Sequence, residues 1–177
     1  GVKCWGGNSG GQLGDGTNTN RLIPVSVNGL DENVQAIIAG EFHTCALTVN
    51  GRVKCWGRNW SGQLGDSTTT DRLMPVDVNG LDSGVQTITA GEYHTCALVT
   101  NGGIKCWGGN GSGQLGDITT TIPLTPVDVI GLTSGVQAVA AGGSHTCALT
   151  SSGEVKCWGN NEYGQLGVNP GWTPVDV

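Results

Sequence analysis

Cysteine is the residue type with the most evident chemistry in this sequence, and six of the seven cysteines form pairs ten residues apart. The pairs are Cys45 with Cys55, Cys96 with Cys106, and Cys147 with Cys157. Each pair flanks a turn signal such as Asn50-Gly51, which predicts that its members lie on the two arms of a β-hairpin. A two-residue turn would place them on opposite faces, whereas a three-residue loop closed by a left-handed Gly51 would place Cys45 directly opposite Cys55. Three pairs at one spacing favour the second register.

This register predicts three disulfide bonds, and the alternative is that the cysteines are small, reduced core residues. Zinc binding is less favoured because no Cys-x-x-Cys motif occurs. Cys4 stands at the same repeat position as Cys55, so its partner is expected about ten residues upstream. Disulfides persist outside the reducing cytosol, and we therefore predict an extracellular or cell-surface protein.

Histidine and aspartate are the other candidates for chemistry, and both recur with the repeat. The histidines are His43, His94 and His145, and the aspartates that follow a GQLG motif are Asp15, Asp66 and Asp117. A catalytic residue is normally unique in a chain, so residues present in successive units indicate structural roles. We predict that the histidines hydrogen-bond a neighbouring strand or turn, and that the aspartates shape turns rather than bind a cation. No Gly-x-Ser-x-Gly elbow with a convincing acid and base stands out, and no dense acidic ligand spacing occurs, which predicts a protein without catalytic activity, metal or cofactor.

These residues follow one period of 51 residues. The same interval separates Trp5, Trp56, Trp107 and Trp158, and it separates the GQLG motifs. Within one unit, strands are predicted at 43–48, 52–57, 75–78 and 85–91. Pro75 opens the third of these, because proline is tolerated at the start of a strand. Four short strands per unit, without helical periodicity, predict an all-β fold: one β-propeller of four-stranded antiparallel blades over residues 1–177.

The repeated sequence resembles the regulator of chromosome condensation repeat. The resemblance rests on the Trp-Gly pair, GQLG, Pro-Val-x-Val and Ala-Gly-x-x-His-Thr, which recur in phase over the whole chain. It implies a toroid that usually has seven blades, of which this chain would form about three and a half. The paired HTCAL and CWG segments are similar to those of the secreted bacterial branch of the family. Residues 1–6 are expected to lack their HTCALT partner strand, and residues 174–177 the VQAI strand that should follow them; a longer protein or a second chain would supply both.

The charge and hydropathy of the chain argue against two classes of partner. The formal net charge is −6, and the chain has only eight lysines and arginines. Four of these are Lys3, Lys54, Lys105 and Lys156, which share one repeat position. Binding to phosphate backbones requires clustered basic residues, so no nucleic-acid partner is predicted. No apolar run approaches the length of a membrane span, so no membrane insertion is predicted.

Residues that differ between repeats are the candidates for binding, because a shared structure requires sameness and recognition requires difference. The loops after the Trp-Gly pairs read GNSG, RNWSG, GNGSG and NNEYG. The candidates in these loops are Arg58, Trp60, Glu162 and Tyr163, and the candidates just before the histidines are Phe42 and Tyr93. For Phe42 and Tyr93, packing between blades is the alternative interpretation.

Two further expectations come from alignment and from a short motif. Trp172 aligns with a leucine of each other repeat, which predicts a core residue. Asn59 and Asn110 each begin an Asn-x-Ser segment, which is the acceptor pattern for N-glycosylation.

Two function classes remain. The first is an extracellular, non-catalytic scaffold that recognises a protein or a glycan through its loop tips. The second is a structural component of a surface layer or fibre, assembled by self-association through incomplete terminal blades. A third function, guanine nucleotide exchange on a Ran-like GTPase, is implied by the family name alone, and the acidic charge and paired cysteines weigh against it.

Overall fold

The computed structural model describes residues 1–30, 33–168 and 172–177, and these residues form fourteen β-strands. The first two strands are β1 (Lys3–Gly6) and β2 (Arg21–Ser26). The next four are β3 (Val34–Ala39), β4 (His43–Thr48), β5 (Val53–Gly57) and β6 (Arg72–Asp77). They are followed by β7 (Val85–Ala90), β8 (His94–Val99), β9 (Ile104–Gly108) and β10 (Val127–Asp128). The last four are β11 (Val136–Ala141), β12 (His145–Thr150), β13 (Val155–Gly159) and β14 (Val175–Asp176).

The strands form one two-stranded sheet and three four-stranded antiparallel sheets, each in the order of the sequence. Strands β3, β7 and β11 contact one another across neighbouring sheets, whereas β6, β10 and β14 are the outer edges. Each four-stranded sheet is therefore a propeller blade that runs from an inner strand to an outer one. The predicted all-β propeller of about three and a half blades is confirmed. In the part of the chain that the structure describes, no helix is long and apolar enough to cross a membrane.

The boundary between blades differs from the expectation for residues 174–177. Strand β14 pairs with β13, with Val175 opposite Cys157, and it completes the fourth sheet. The expectation that a following VQAI strand is missing here was wrong for this sheet, because that strand begins a blade. A repeat has no unique starting point, and its period does not reveal where a blade begins. Strands β1 and β2 do form a half blade, and Cys4 in β1 is the one described cysteine without a disulfide.

The hairpins have the register that the cysteine spacing predicted. The Thr48 N–H donates to the carbonyl of Arg52 at 2.9 Å, and Gly51 closes the three-residue loop with a φ of 75°. Glycine is favoured there because a Cβ is disfavoured at positive φ. Cys45 therefore lies opposite Cys55 with 4.1 Å between their Cα atoms, and the two sulfurs are bonded. Equivalent bonds form in the other two complete blades, which confirms the predicted disulfides.

The third predicted strand starts earlier than expected. Strand β6 begins at Arg72, so Pro75 lies inside the strand rather than at its start. Because β6 is the outer strand of its blade, it has a neighbour on one side only. Proline has no N–H to donate, and an edge strand tolerates this where a central strand would lose a ladder hydrogen bond. The prediction of a strand is confirmed, and its bounds are corrected.

The tryptophans of the later Trp-Gly pairs fill the space between neighbouring blades. Those that are fully buried are Trp56, Trp107 and Trp158. Trp107 packs with Leu64 of the preceding blade, and its indole N–H donates to the Gln63 carbonyl at 2.9 Å. A Cβ at Gly65 would fall 2.8 Å from the indole nitrogen of Trp107, so the last glycine of GQLG is required for this close approach.

The histidines link each blade to the next one. His43 Nε2 lies 2.8 Å from Thr95 Oγ1, and the Thr95 hydroxyl donates to the Gln63 carbonyl at 2.9 Å. Because a hydroxyl has one proton, His43 must donate from Nε2, and its buried Nδ1 has no partner among the described residues. His94 makes the same contact with Thr146 at 3.0 Å. Burial lowers the pKa of His43 to about 4 and that of His94 to about 3, so both side chains are neutral at pH 7.

Trp172 does not lie in the core, and the prediction from its alignment was wrong. Its side chain is 55% exposed and covers a glycine of the neighbouring blade, since a Cβ at Gly113 would fall 2.7 Å from its ring. Leu73 covers Gly11 in the same way and is also exposed. The aligned residues therefore make the same contact with the neighbouring blade, but this position lies on the outer rim, where burial is incomplete.

Candidate binding surface

One buried asparagine fixes the loop that follows each Trp-Gly pair. In the second repeat this residue is Asn59, whose Oδ1 accepts the Leu64 N–H and whose Nδ2 donates to Asp66 Oδ1, both at 3.0 Å. The equivalent asparagines of the first and third repeats make the same two contacts. The backbone of the loop is thus shared, while the side chains on either side of Asn59 are free to differ. From the sequence, this asparagine was interpreted only as part of a glycosylation motif.

The aspartate after GQLG belongs to the same loop. Asp66 accepts hydrogen bonds from the Thr68 hydroxyl and from Arg72 Nε, both at 2.7 Å. Burial alone would raise the pKa of Asp66, but these hydrogen bonds outweigh it and hold the pKa below its usual value. The predicted turn role is confirmed for this residue. Across residues 1–30, 33–168 and 172–177, no group of three or more His, Cys, Asp or Glu side chains could hold a metal ion.

Four of the six predicted binding residues meet at the end of the blades where these loops lie. The Arg58 guanidinium lies 4.0 Å from the centroid of the Trp60 ring and 5.9 Å from that of Phe42. Phe42 stacks on Tyr93 of the next blade, with centroids 5.4 Å apart and planes inclined by 23°. We call Arg58, Trp60, Phe42 and Tyr93 the aromatic–arginine cluster. The contact of Phe42 with Tyr93 confirms packing between blades, and both residues remain half-buried.

The other two predicted binding residues, Glu162 and Tyr163, lie on the equivalent loop two blades away. Asn161 holds this loop as Asn59 holds its own, with the Leu166 N–H donating to its Oδ1 at 2.9 Å. Tyr163 is 85% exposed and has no stacking partner among the described residues. The structure therefore gathers four of the candidates and leaves these two apart.

Small residues that the sequence analysis did not single out make room for the cluster. A Cβ at Gly10 would lie 2.3 Å from Arg58 Cγ, so the arginine stem crosses the loop of the half blade. Arg58 Nη2 also donates to Ser9 Oγ at 3.4 Å. A Cβ at Gly109 would lie 2.9 Å from Tyr93 Cβ. In the sequence, the feature that marks this site is the arginine at position 58, where the other repeats hold glycine or asparagine.

Two glutamates border the cluster. Glu41 and Glu92 immediately precede its Phe and Tyr residues. Interaction with the Glu92 carboxylate raises the pKa of Tyr93, the negative charge of Glu41 adds to this effect, and Arg58 opposes it. These charges are therefore close enough to act on one phenol. The third complete blade carries Gly-Ser at these positions, so the acidic and aromatic pattern ends there.

The two glycosylation motifs have a structural explanation. Asn59 and Asn110 are fully buried, and their carboxamide nitrogens donate to the following aspartates at 3.0 Å. Attachment of a glycan to either nitrogen would require the loop to open. The motif therefore reflects the asparagine that holds the loop.

The regulator of chromosome condensation (RCC1) repeat matches most of the chain. One form of the repeat matches residues 2–47, 50–98 and 101–149, and a second form, with another starting point, matches residues 34–63, 85–114 and 136–165. Successive matches of each form end 51 residues apart, which is the interval between the tryptophans.

Similar proteins include a plant receptor and a human enzyme. The ultraviolet-B receptor UVR8 of Arabidopsis thaliana is 34% identical over 170 residues, which is 94% of this chain and 39% of UVR8. The probable E3 ubiquitin-protein ligase HERC4 of Homo sapiens is 38% identical over 174 residues, which is 94% of this chain and 16% of HERC4. The chain thus spans well under half the length of these relatives.

Two solved structures have the same arrangement of blades. Human WBSCR16 superposes with a TM-score of 0.84 at 24% identity, over 100% of this chain and 47% of that protein. Prp20p of Saccharomyces cerevisiae superposes with a TM-score of 0.83 at 25% identity, over 98% of this chain and 46% of that protein. Since the period, the blades and the matched residues agree, the chain belongs to the regulator of chromosome condensation (RCC1) repeat family.

Proposed function

We propose that this chain is a non-catalytic binding module that recognises a partner protein through the aromatic–arginine cluster. The observation that carries the proposal is the position of Arg58 against the rings of Trp60 and Phe42 at an exposed end of the blades. Tryptophan, tyrosine and arginine are the residue types that dominate the binding energy of protein interfaces. Side chains that are already stacked also lose less conformational entropy when a partner binds.

The fold itself does not require the Trp60 side chain. Trp60 is 63% exposed, and the equivalent positions hold Ser9, Gly111 and Glu162 in loops that the buried asparagine fixes in the same way. An exposed tryptophan that the repeat does not demand favours recognition over packing.

A relative supports a protein rather than a glycan as the partner. The structural work on Prp20p concerns its binding to Gsp1p and histones. The activities of UVR8 and HERC4 belong to proteins of which this chain matches less than half, so we do not extend them to it. We likewise do not extend nucleotide exchange to this chain.

We also propose that the module works at the cell surface or in the extracellular medium. The support is one disulfide in the central hairpin of each complete blade. Such bonds are rare in reducing compartments and persist in oxidising ones. Alkylation of the protein from its native source, followed by intact mass measurement without reductant, should show six protected cysteines. Alkylation of all seven would contradict this location.

A displayed library of random peptides, selected on the wild-type protein, tests the binding surface and does not require the partner to be identified. The selected peptides are then titrated against Trp60→Ala and against Val49→Ala, an exposed apolar residue in a hairpin loop at the opposite end of the blade. We expect Trp60→Ala to weaken binding at least tenfold, about 1.4 kcal/mol, and Val49→Ala to leave it unchanged. Equal affinity for both variants would contradict the proposed surface.

A further inference from the structure

Most basic side chains of this chain are already paired. Of the eight lysines and arginines, six form ion pairs with aspartates among the described residues. They are Arg21, Arg52, Lys54, Arg72, Lys105 and Lys156. The acidic side chains are less completely paired, because six of the twelve described aspartates and glutamates form no ion pair, so the unpaired charge of this chain is mostly negative.

Two of these unpaired carboxylates adjoin the Phe42–Tyr93 stack. The carboxylates of Glu41 and Glu92 have no Lys or Arg within ion-pair distance among the described residues. Both carboxylates act on the Tyr93 hydroxyl. We call Glu41, Phe42, Glu92 and Tyr93 the acidic–aromatic patch, which occupies the inner ends of two neighbouring blades.

Arg58 does not neutralise this patch. Its guanidinium lies over the Trp60 ring and near the Phe42 ring, and its Nη2 donates to Ser9. Its Nε is buried and has no hydrogen-bond partner among the described residues. The arginine therefore interacts mainly with aromatic rings and a hydroxyl, and the charges of Glu41, Glu92 and Arg58 together still sum to −1.

We propose that the acidic–aromatic patch binds a cationic peptide segment, rich in lysine or arginine, of the partner protein. The inference rests on the proposed function and adds the chemistry of the partner. A guanidinium or ammonium group fits both parts of the patch, because carboxylates supply charge-assisted acceptors and aromatic rings attract cations. The net charge of −6 would also accelerate the approach of a basic segment and repel an acidic one.

An acidic peptide and a neutral glycan fit the patch less well. An acidic peptide would bring like charges against Glu41 and Glu92. A neutral glycan would leave both carboxylates without an opposite charge while displacing their water. A cationic segment is the class of ligand that leaves neither carboxylate unpaired.

The test compares two charge-neutralising double variants. Fluorescein-labelled peptides of alternating Arg-Gly, of alternating Asp-Gly and a neutral oligosaccharide are titrated against each protein by anisotropy or calorimetry. Glu41→Gln with Glu92→Gln removes two charges from the patch. Asp82→Asn with Glu154→Gln removes two exposed charges at the opposite end of the blades and is the matched control. Circular dichroism verifies that both variants are folded.

We expect the Arg-Gly peptide to bind the wild type, to bind the patch variant at least tenfold more weakly, and to bind the control variant within twofold of the wild type. Binding to the wild type should also weaken as salt rises from about 50 to about 200 mM, because the contact is between exposed charges. Equal binding to the two double variants would overturn the proposal. Preferential binding of the Asp-Gly peptide or the oligosaccharide would overturn it as well.

The selected library peptides distinguish a failure of this inference from a failure of the proposed function. Library peptides that depend on Trp60 but carry no positive charge would support a binding surface while overturning a cationic partner. Library peptides that are indifferent to Trp60→Ala would contradict the proposed function itself, whatever their charge.

Discussion

Trp107 and Trp60 show how differently the interior and the loop tips of this chain use the same residue type. Trp107 is fully buried and donates to the Gln63 carbonyl, and the tryptophans one period before and after it do the same in their own blades. Trp60 is exposed, contacts Arg58, and has no tryptophan at the equivalent position of any other repeat. The repeated tryptophans hold the blades together, whereas the shared loop structure does not require Trp60. Under the proposed function, stability and recognition therefore depend on different residues of one loop-and-strand unit.

The strongest test of this difference is to replace each tryptophan separately by alanine. Trp107→Ala removes a buried ring and a hydrogen bond between blades, so the free energy of unfolding should fall by about 3–5 kcal/mol. Trp60→Ala removes an exposed ring and one cation–π contact, so it should fall by no more than about 1 kcal/mol. Urea unfolding under non-reducing conditions measures both values. Equal losses would mean that Trp60 is as structural as Trp107.

Acid should lower the free energy of unfolding through the buried histidines that lie between the blades. The folded-state pKa values of His43 and His94, about 4 and about 3, lie below the unfolded value of 6.5. Unfolded histidines therefore bind protons more readily, so the stabilisation is fully present above pH 6.5 and is lost as the pH falls through 6.5 toward 4 and then 3. The loss from His43 alone should be on the order of 3 kcal/mol.

Urea unfolding at steps from about pH 7 to about pH 4 measures this loss. His94→Gln is the comparison variant, because glutamine does not titrate and the slope with pH should become shallower. A slope identical to that of the wild type would show that His94 is not held neutral by the contact between blades.

The disulfides should also contribute to stability without contributing to recognition. Replacing Cys96 and Cys106 together by alanine removes a cross-link that closes about ten residues, and the free energy of unfolding should fall by about 2–3 kcal/mol. The affinity for peptides selected on the wild type should stay within twofold, since the bond lies within the β8–β9 hairpin rather than at the loop tips. Lost peptide binding in a variant that is still folded would be the contrary result.

The smallest effect is expected at a strained residue of an outer loop. Ile118 has a φ of 63°, a conformation that disfavours a β-branched side chain, and the first repeat has Gly16 there with a φ of 81°. Ile118→Gly should raise the free energy of unfolding by about 1 kcal/mol through relief of this strain. Thermal unfolding detects the change as a higher midpoint, and the reciprocal Gly16→Ile should lower it. A lower midpoint for Ile118→Gly would show that the exposed isoleucine is stabilising.

Local patterns in the sequence predicted the hairpins well, because a hairpin is determined by residues close together in the chain. The spacing of Cys45 and Cys55 and the position of Gly51 together favoured one of two registers, and the structure confirms it. The strand bounds near Pro75 and the boundary between blades were less accurate. Both depend on which strand is an outer edge, and that depends on neighbours far away in the sequence.

The candidate surface was predicted as a set of residues but not as an arrangement. Variation between repeats identified Arg58, Trp60, Phe42 and Tyr93, yet nothing in the sequence showed that they touch across the loop and the blade boundary. Burial was also misjudged for Trp172, because alignment with leucines carries over a contact but not the exposure of the rim. Whether the surface binds a partner remains a prediction.

The most direct measurement of the separation between stability and recognition is made on one variant, Arg58→Ala. Its affinity for the peptides selected on the wild type and its free energy of unfolding are determined on the same preparation. We predict that the affinity falls at least tenfold while the free energy of unfolding changes by less than about 1 kcal/mol. Arg58 contacts the exposed Trp60 ring and the half-buried Phe42 ring, and it forms no ion pair with a carboxylate among the described residues. Unchanged affinity would contradict a binding role for the cluster. A loss of affinity that occurs together with a large fall in the free energy of unfolding would show that Arg58 has a structural role.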